Sequence, residues 1–298
     1  MKTFSSLLLL SAVSAGLSGC PVIPLPNPNE GEGEVIVEGE GEGEGEGESA
    51  ILTETILLPG SVPLKMVFIP AGKFTMGSPE TEVARDSDEG PQHTVTLSKG
   101  FWIGQYEFTQ IQWKAVMSGA NPSYFQGGAY GNTDNRPVEQ VSWDVINRLF
   151  LPKINTATQN TFRLPTEAEW EYACRAGELD PQTRFYWGDD SNLTNIPQYA
   201  WYESNSNGQS HAIGSKRANA FGLYDMSGGV WEWVQDFYQA SYSMGAVTNP
   251  GGPVLGAGRV LRGGAWTTTE AYCRSASRNY YTPTYQDYTF GFRVVRNP

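Results

Sequence analysis

Residues 219–238 read NAFGLYDMSGGVWEWVQDFY, a stretch in which glycines and aromatic residues are interspersed and no long apolar run forms. The chain as a whole has 34 Gly, 15 Tyr and 9 Trp in 298 residues. Such a composition predicts a fold with many turns and short strands. Residues 51–298 are long enough for one large domain with a sizeable core, and no second linker or tandem repeat divides them.

Helix-start signals occur at three places within residues 51–298. Thr109–Gln112 and Thr166–Glu169 have the spacing of capping boxes, and Ser142 precedes a run with apolar residues on one helical face. Strands are predicted at Met66–Pro70, Thr94–Leu97, Phe101–Tyr106 and Phe290–Val295. The predicted fold class is α+β, with a modest number of helices on an irregular antiparallel scaffold.

The N-terminus has the pattern of a secretion signal. A basic start, Met1-Lys2, precedes a mostly apolar run from Phe4 to Ala15, which is too short to span a bilayer. The run ends in Leu17-Ser18-Gly19-Cys20, which resembles a bacterial lipobox. We expect residues 1–19 to be a lipoprotein signal peptide and Cys20 to carry a lipid that attaches the protein to a bacterial membrane. Pro21 after the cysteine weakly favours the outer membrane.

Residues 21–50 are rich in Pro, Gly and Glu and are predicted to be a disordered linker. The linker holds nine Glu and no basic residue, while the whole chain has a net charge of −12. With Lys2 counted separately, residues 51–298 carry a charge near −4 and show no basic stripe. The sequence therefore gives no indication of nucleic-acid binding.

Seven motifs together resemble one protein family. They are MVFIPAGKFTMGS (66–78), FWIGQYEFTQIQW (101–113), RPVEQVSWD (136–144), FRLPTEAEWEYACRAG (162–177), NAFGLYDMSGGVWEWVQDFY (219–238), RVLRGGAW (259–266) and FGFRVVR (290–296). They are similar, in the same order, to the sulfatase-modifying-factor domain, the family of the formylglycine-generating enzyme. The resemblance implies a variant of the C-type-lectin fold with much irregular loop over residues 51–298.

The resemblance also implies a reaction, which the residues present do not support. Active members of the family hold copper between two cysteine thiolates and oxidise a sulfatase cysteine with dioxygen. Aligned on Arg262-Gly263-Gly264, the family's serine position is Ala265, the first cysteine position is Thr268 and the second is Cys273. A threonine hydroxyl cannot replace a thiolate on Cu(I), so we expect no copper site.

Three interpretations of Cys273 follow. It lies close in sequence to Arg262, Arg274 and Arg278, and cationic neighbours would make a thiol reactive. It could instead form a disulfide with Cys174, or be a buried free thiol. The sequence leaves all three open, and with them the alternative function of an oxidase with altered metal ligation at Cys273.

Calcium is the cofactor that the family resemblance predicts. The family's ligands correspond to Asp225, Gly228, Val230 and Glu232, which offer two carboxylates and two backbone carbonyls. These hard oxygen donors suit calcium. The alternative is that Glu232 pairs with a core arginine and Asp225 caps a turn.

Residues 267–289, TTTEAYCRSASRNYYTPTYQDYT, have the composition of a binding surface. Tyrosine provides large rigid contact area, and small polar residues provide adaptable hydrogen bonds. The segment also resembles the variable region of the diversified lectin-fold proteins made by diversity-generating retroelements, while an ordinary polar loop is the plainer alternative. We expect a non-catalytic domain that binds a protein or glycan ligand through the 265–289 surface. The predicted contacts are Trp266, Thr267, Thr269, Tyr272, Tyr280, Tyr281, Tyr285 and Tyr288.

Overall fold

The computed structural model describes residues 51–177 and 181–298. The predicted signal peptide, Cys20 and the acidic linker lie outside the described residues. Across the described residues, no helix has both the length and the apolar character needed to cross a membrane.

The predicted helices form where the caps place them. Helix α1 is Gln110–Val116 with both halves of its capping box at Thr109. Helix α2, Trp143–Val145, is capped by Ser142 and continues through a π-helical segment, Ile146–Phe150, into α3, Leu151–Thr158. Helix α4, Glu167–Arg175, has its capping box at Thr166, and α5 is the short Ile196–Tyr199. The three helix predictions are confirmed.

Eleven short strands lie in the described part of the chain. In chain order they are β1 Thr53–Leu58, β2 Val62–Ile69, β3 Gly72–Met76, β4 His93–Leu97, β5 Phe101–Gly104, β6 Trp231–Phe237, β7 Val247–Thr248, β8 Arg259–Arg262, β9 Arg278–Tyr281, β10 Phe290–Gly291 and β11 Val295–Arg296. They form sheets of order β1-β2-β5-β11, β10-β6-β8-β9 and β3-β4-β7. The α+β prediction is therefore confirmed.

Two details of the strand prediction are wrong. The predicted strand over 290–295 is two strands, because β10 pairs with β6 in one sheet and β11 pairs with β5 in another. Arg293 lies at the crossing, fully buried against Glu232. The scaffold is also not wholly antiparallel, since the β10–β6 and β4–β7 pairs are parallel.

The 273–278 segment is fixed by buried arginines. Arg262 donates from Nη1 to the carbonyls of Ala276 and Ser277, each at 2.9 Å, and from Nη2 to Ser275 O at 2.8 Å and Glu171 Oε2 at 2.6 Å. Its side chain has no exposed surface. One guanidinium from β8 thus binds three successive carbonyls of the segment that leads into β9.

Neighbouring arginines in the same segment are paired in the same way. Arg278 binds Glu167 through Nε at 2.6 Å and Nη2 at 3.0 Å, and Arg274 binds Glu89 and Glu82. Buried ion pairs of this kind are costly to break, because removing one partner leaves an uncompensated charge or unpaired polar groups.

Arg262→Ala should therefore lower the free energy of unfolding by about 3–5 kcal/mol. Urea titration of the purified full-length chain would measure this loss. The matched control is Arg148→Ala, because Arg148 is 77% exposed and pairs with Asp144 on one helix face. That change should cost less than about 0.5 kcal/mol, and equal losses in the two variants would contradict the structural role of Arg262.

Candidate functional site

The position of the first family cysteine is used structurally. Thr268 Oγ1 accepts a hydrogen bond from Ala265 N at 3.0 Å and donates one to Ala265 O at 2.9 Å. Gly264, at φ +80°, lets the chain turn here, since a Cβ would lie 2.8 Å from Tyr272 O. The hydroxyl therefore closes the turn that follows the Arg-Gly-Gly sequence.

Cys273 is a buried free thiol, as is Cys174 on α4. The two belong to different apolar clusters, and the disulfide interpretation is wrong for this structure. Burial raises the pKa of each thiol to about 12. Cys273 packs with Phe185, Ile196 and Tyr202.

The arginines near Cys273 in sequence do not activate it. Arg262 and Arg278 are paired with Glu171 and Glu167. Arg274 is paired with Glu89 and lowers the thiol pKa less than burial raises it. Because thiolate is the reactive form, Cys273 is chemically quiet in this fold.

The predicted contact residues form more than one group. Tyr288, 41% exposed, lies over buried Trp266, with ring centroids 5.6 Å apart. Trp266 in turn packs edge-on against Phe125 at 5.2 Å, so it forms the floor of this group and offers little surface itself. Tyr124, the most exposed tyrosine here at 56%, approaches Tyr288 to 5.7 Å.

A second group lies on β9 and the loop after it. Tyr281 stacks on Tyr285 at 4.7 Å, and both pack against Phe290. Tyr280 instead stacks on Tyr238 at 3.7 Å. Successive residues of a strand point to opposite faces, so Tyr280 and Tyr281 belong to different surfaces.

The remaining predicted contacts lie on the turn before β9. Thr267, Thr269 and Tyr272 are exposed, and Tyr272 lies against Trp231 at 6.0 Å. Between this turn and β9, residues 273–278 are all buried. The segment therefore alternates between a buried framework and an exposed surface of Tyr and Thr.

Tyr124 was not predicted as a contact, since it lies far from the segment in sequence. Its loop is held by Glu139, which accepts from Tyr124 N at 2.9 Å and Phe125 N at 3.0 Å. Burial raises the pKa of Glu139 to about 7. The acidic residue in RPVEQVSWD and the glycines after Tyr124 could have indicated an ordered surface loop.

The predicted calcium residues lie in an acidic part of the interior. Glu232 binds Arg293 through both carboxylate oxygens, at 2.6 and 2.7 Å, and accepts from Trp170 Nε1 at 2.8 Å. Asp225 Oδ2 accepts from Gly214 N at 2.6 Å. Both contacts match the alternative in which Glu232 pairs with a core arginine and Asp225 caps a turn.

A third carboxyl, Glu107, was missed by the sequence reasoning. Its Oε1 accepts from Val230 N at 2.7 Å, and a Cβ on Gly229 would lie 2.4 Å from that oxygen. Burial raises the pKa of Asp225 to about 6 and that of Glu107 well above its usual range, with Glu232 adding to both. Three carboxyls thus surround one guanidinium, although in the described ranges no three His, Cys, Asp or Glu side chains are arranged as metal ligands.

The mixed sheets, sparse helices and long loops define a sulfatase-modifying-factor-like domain of the C-type-lectin-like fold. The chain belongs to the sulfatase-modifying factor enzyme 1-like domain family, whose model matches residues 60–298.

Three similar proteins show the range within the family. The formylglycine-generating enzyme of Thermomonospora curvata is 30% identical, over 80% of this chain and 96% of that protein. The structure of Treponema denticola variable protein 1 is 30% identical with a TM-score of 0.73, and covers 83% of this chain and 99% of its own. The structure of PvdO from Pseudomonas aeruginosa is 29% identical with a TM-score of 0.66, over 79% and 95% respectively.

Cys174 and Cys273 should resist modification while the protein is folded. Because burial raises both pKa values to about 12, Cys174 and Cys273 should react with iodoacetamide at pH 8 only after guanidinium unfolds the chain. Mass spectrometry of the peptides that contain Cys174 and Cys273, from protein isolated without reductant, should then show one added group on each. Rapid alkylation of Cys273 in the folded protein would contradict the buried-thiol interpretation.

Proposed function

We propose that this protein is a non-catalytic binding domain that presents the 265–289 surface to a protein or glycan ligand. The main support is that the segment divides into a buried framework, residues 273–278, and exposed Tyr and Thr residues on either side of it. A buried framework lets the exposed residues differ without loss of the fold, which is how binding surfaces diversify.

The likeness to Treponema denticola variable protein 1 supports this proposal over the oxidase alternative. The resemblance of the segment to diversified variable regions points the same way. The oxidase alternative needs a reactive thiol, whereas Cys273 is buried with a pKa raised to about 12. It also needs a second soft ligand, and Thr268 offers a hydroxyl that is already bonded to Ala265.

The setting we propose is outside the cytoplasm. A lipid on Cys20 would attach the protein to a bacterial membrane, with the outer membrane weakly preferred, and the Pro/Gly/Glu linker would hold the domain away from the surface. In that position the 265–289 surface would be available to ligands beyond the membrane.

A direct test starts from the coding sequence. If the surface is diversified, a near-copy of the region encoding 265–289 should lie beside a reverse transcriptase gene. Differences between the copies should fall on codons of exposed residues, such as Thr267, Tyr281 and Tyr285, and should spare residues 273–278, because these are buried. A locus without a near-copy would overturn diversification.

An assay of the purified chain distinguishes the non-catalytic proposal from the oxidase alternative. Incubation with Cu(I), dioxygen and a peptide containing Cys-x-Pro-x-Arg should leave the peptide mass unchanged. The Thermomonospora curvata enzyme serves as the active control under the same conditions. Conversion of the peptide cysteine to formylglycine, lost in Cys273→Ser, would overturn the non-catalytic proposal.

Calcium remains part of the proposal as a structural ion. Asp225, Glu232 and the carbonyls of Gly228 and Val230 would supply oxygen ligands, which is the donor type that calcium prefers. The charge also fits, since three carboxyls, Glu107, Asp225 and Glu232, lie near two cationic groups, Arg293 and the partly buried Lys216. A bound cation would favour the ionised forms of Asp225 and Glu107, which burial disfavours.

Calcium at pH 7.5 should therefore raise the melting temperature relative to the chain in EGTA. The raised pKa values mean that Asp225 and Glu107 bind protons as pH falls, so the rise should shrink at pH 5. Magnesium is the control ion, and Asp225→Asn should lose most of the effect. Identical melting curves with calcium and EGTA at pH 7.5 would contradict the site.

A further inference from the structure

A cavity of about 270 Å³ opens beside β6 and the loop that follows it. Arg278 lines this cavity and lies on the same face of strand β9 as Tyr280. The cavity is therefore on the opposite face of the strand from Tyr281. The walls are mixed, with apolar contributions from Phe237, Val247 and Pro253 and polar ones from His93 and Asp236.

Asp236 is the group that makes this cavity unusual. It is only 4% exposed, and Oδ2 accepts from Glu167 N at 2.8 Å. Oδ1 has no hydrogen-bond partner among the described residues. Gly252 passes directly over it, since a Cβ there would lie 2.8 Å from Oδ1. Asp236 lines the cavity, so this oxygen is a buried acceptor at the cavity wall for which the described residues supply no donor.

His93 presents a second acceptor to the same space. Its Nδ1 lies 3.1 Å from Pro91 O, and a carbonyl only accepts, so Nδ1 carries the proton. In the neutral ring Nε2 is then an acceptor, and within the described ranges no protein group donates to it. The ring packs at a tilt of 51° against Tyr242, with the ring centroids 5.0 Å apart.

In the described part of the chain no side-chain cation forms an ion pair with Asp236, although Arg278 and Arg259 lie near enough to favour its ionised form. Arg278 directs Nε and Nη2 to Glu167, and Nη1 to the carbonyls of Asp88 and Gln239. Arg259 lies over the rings of Trp143 and Phe237 and makes no ion pair with Asp236 in the described part of the chain. Glu167 and Glu169 add negative charge nearby.

The cavity thus offers two acceptors, one of them a carboxyl oxygen that can ionise, together with aromatic walls. A ligand that complements these features carries N–H donors, a positive charge and a small apolar body. We propose that this cavity binds a small organic amine, with its ammonium group between Asp236 Oδ1 and His93 Nε2.

Benzylamine is a suitable probe, and benzyl alcohol is its neutral counterpart of similar shape. Chemical-shift titration of the full-length chain should show saturable binding of benzylamine with perturbed signals around Asp236 and His93. Benzyl alcohol should bind at least about tenfold more weakly, because it carries no positive charge to pair with the ionised carboxyl.

The matched variants are Asp236→Asn, which keeps the shape of the side chain, and Asp144→Asn, which changes a partly buried carboxyl that is paired with Arg148 instead. Only the first should weaken benzylamine binding, by about tenfold. Burial raises the pKa of Asp236 to about 8. The negative charges of Glu167 and Glu169 also raise this pKa, whereas the positive charges of Arg278 and Arg259 lower it. Affinity should therefore rise from pH 6.5 to 8.5 as the carboxyl ionises.

Three results would overturn the proposal. The first is no saturable binding of benzylamine up to about 20 mM, a concentration that still detects millimolar affinity. The second is equal affinity for the amine and the alcohol. The third is unchanged benzylamine binding in Asp236→Asn. The amine–alcohol comparison uses the unaltered chain, so it decides the question even where a variant fails to fold.

Discussion

The guanidinium of Arg262 is the constraint on which the surface of this protein depends. It fixes the carbonyls of Ser275, Ala276 and Ser277 from the interior, and Glu171 neutralises it there. The segment between the turn at Thr268 and strand β9 is thereby held from below by backbone contacts. Because these contacts do not involve the exposed side chains of the segment, those side chains contribute little to the stability of the fold.

Local chemistry explains which parts of the fold could be predicted. The helices at Thr109, Ser142 and Thr166 begin with caps whose hydrogen-bond partners lie three residues further along the chain. Both residues of each capping contact can therefore be recognised within a short stretch of sequence. The strand at 290–295 was harder. Its division depends on Arg293 meeting Glu232, a pair 61 residues apart that no local pattern shows.

The candidate sites show the same limit. Composition indicated a binding segment, yet it could not show that Tyr280 and Tyr281 face different surfaces, nor that Tyr124 stands beside Tyr288. Motif alignment placed Asp225 and Glu232 correctly in one region, but Glu107 comes from a distant loop and enters only through folding. The cavity at Asp236 has no sequence signature, since its walls come from strands and loops far apart in the chain.

Thr268 lies at the position where the family resemblance implies a cysteine, and its hydroxyl closes a turn there. A thiolate pair would need charge stabilisation and access at the very place where Cys273 is now packed among apolar side chains. With a hydroxyl bonded to Ala265 instead, the turn needs neither a metal nor a reduced thiol to hold its shape. The scaffold beneath depends on buried pairs of arginine and carboxylate, such as Arg262 with Glu171 and Arg278 with Glu167. The exposed threonines and tyrosines of the segment, Thr267, Thr269 and Tyr272 among them, lie outside those pairs.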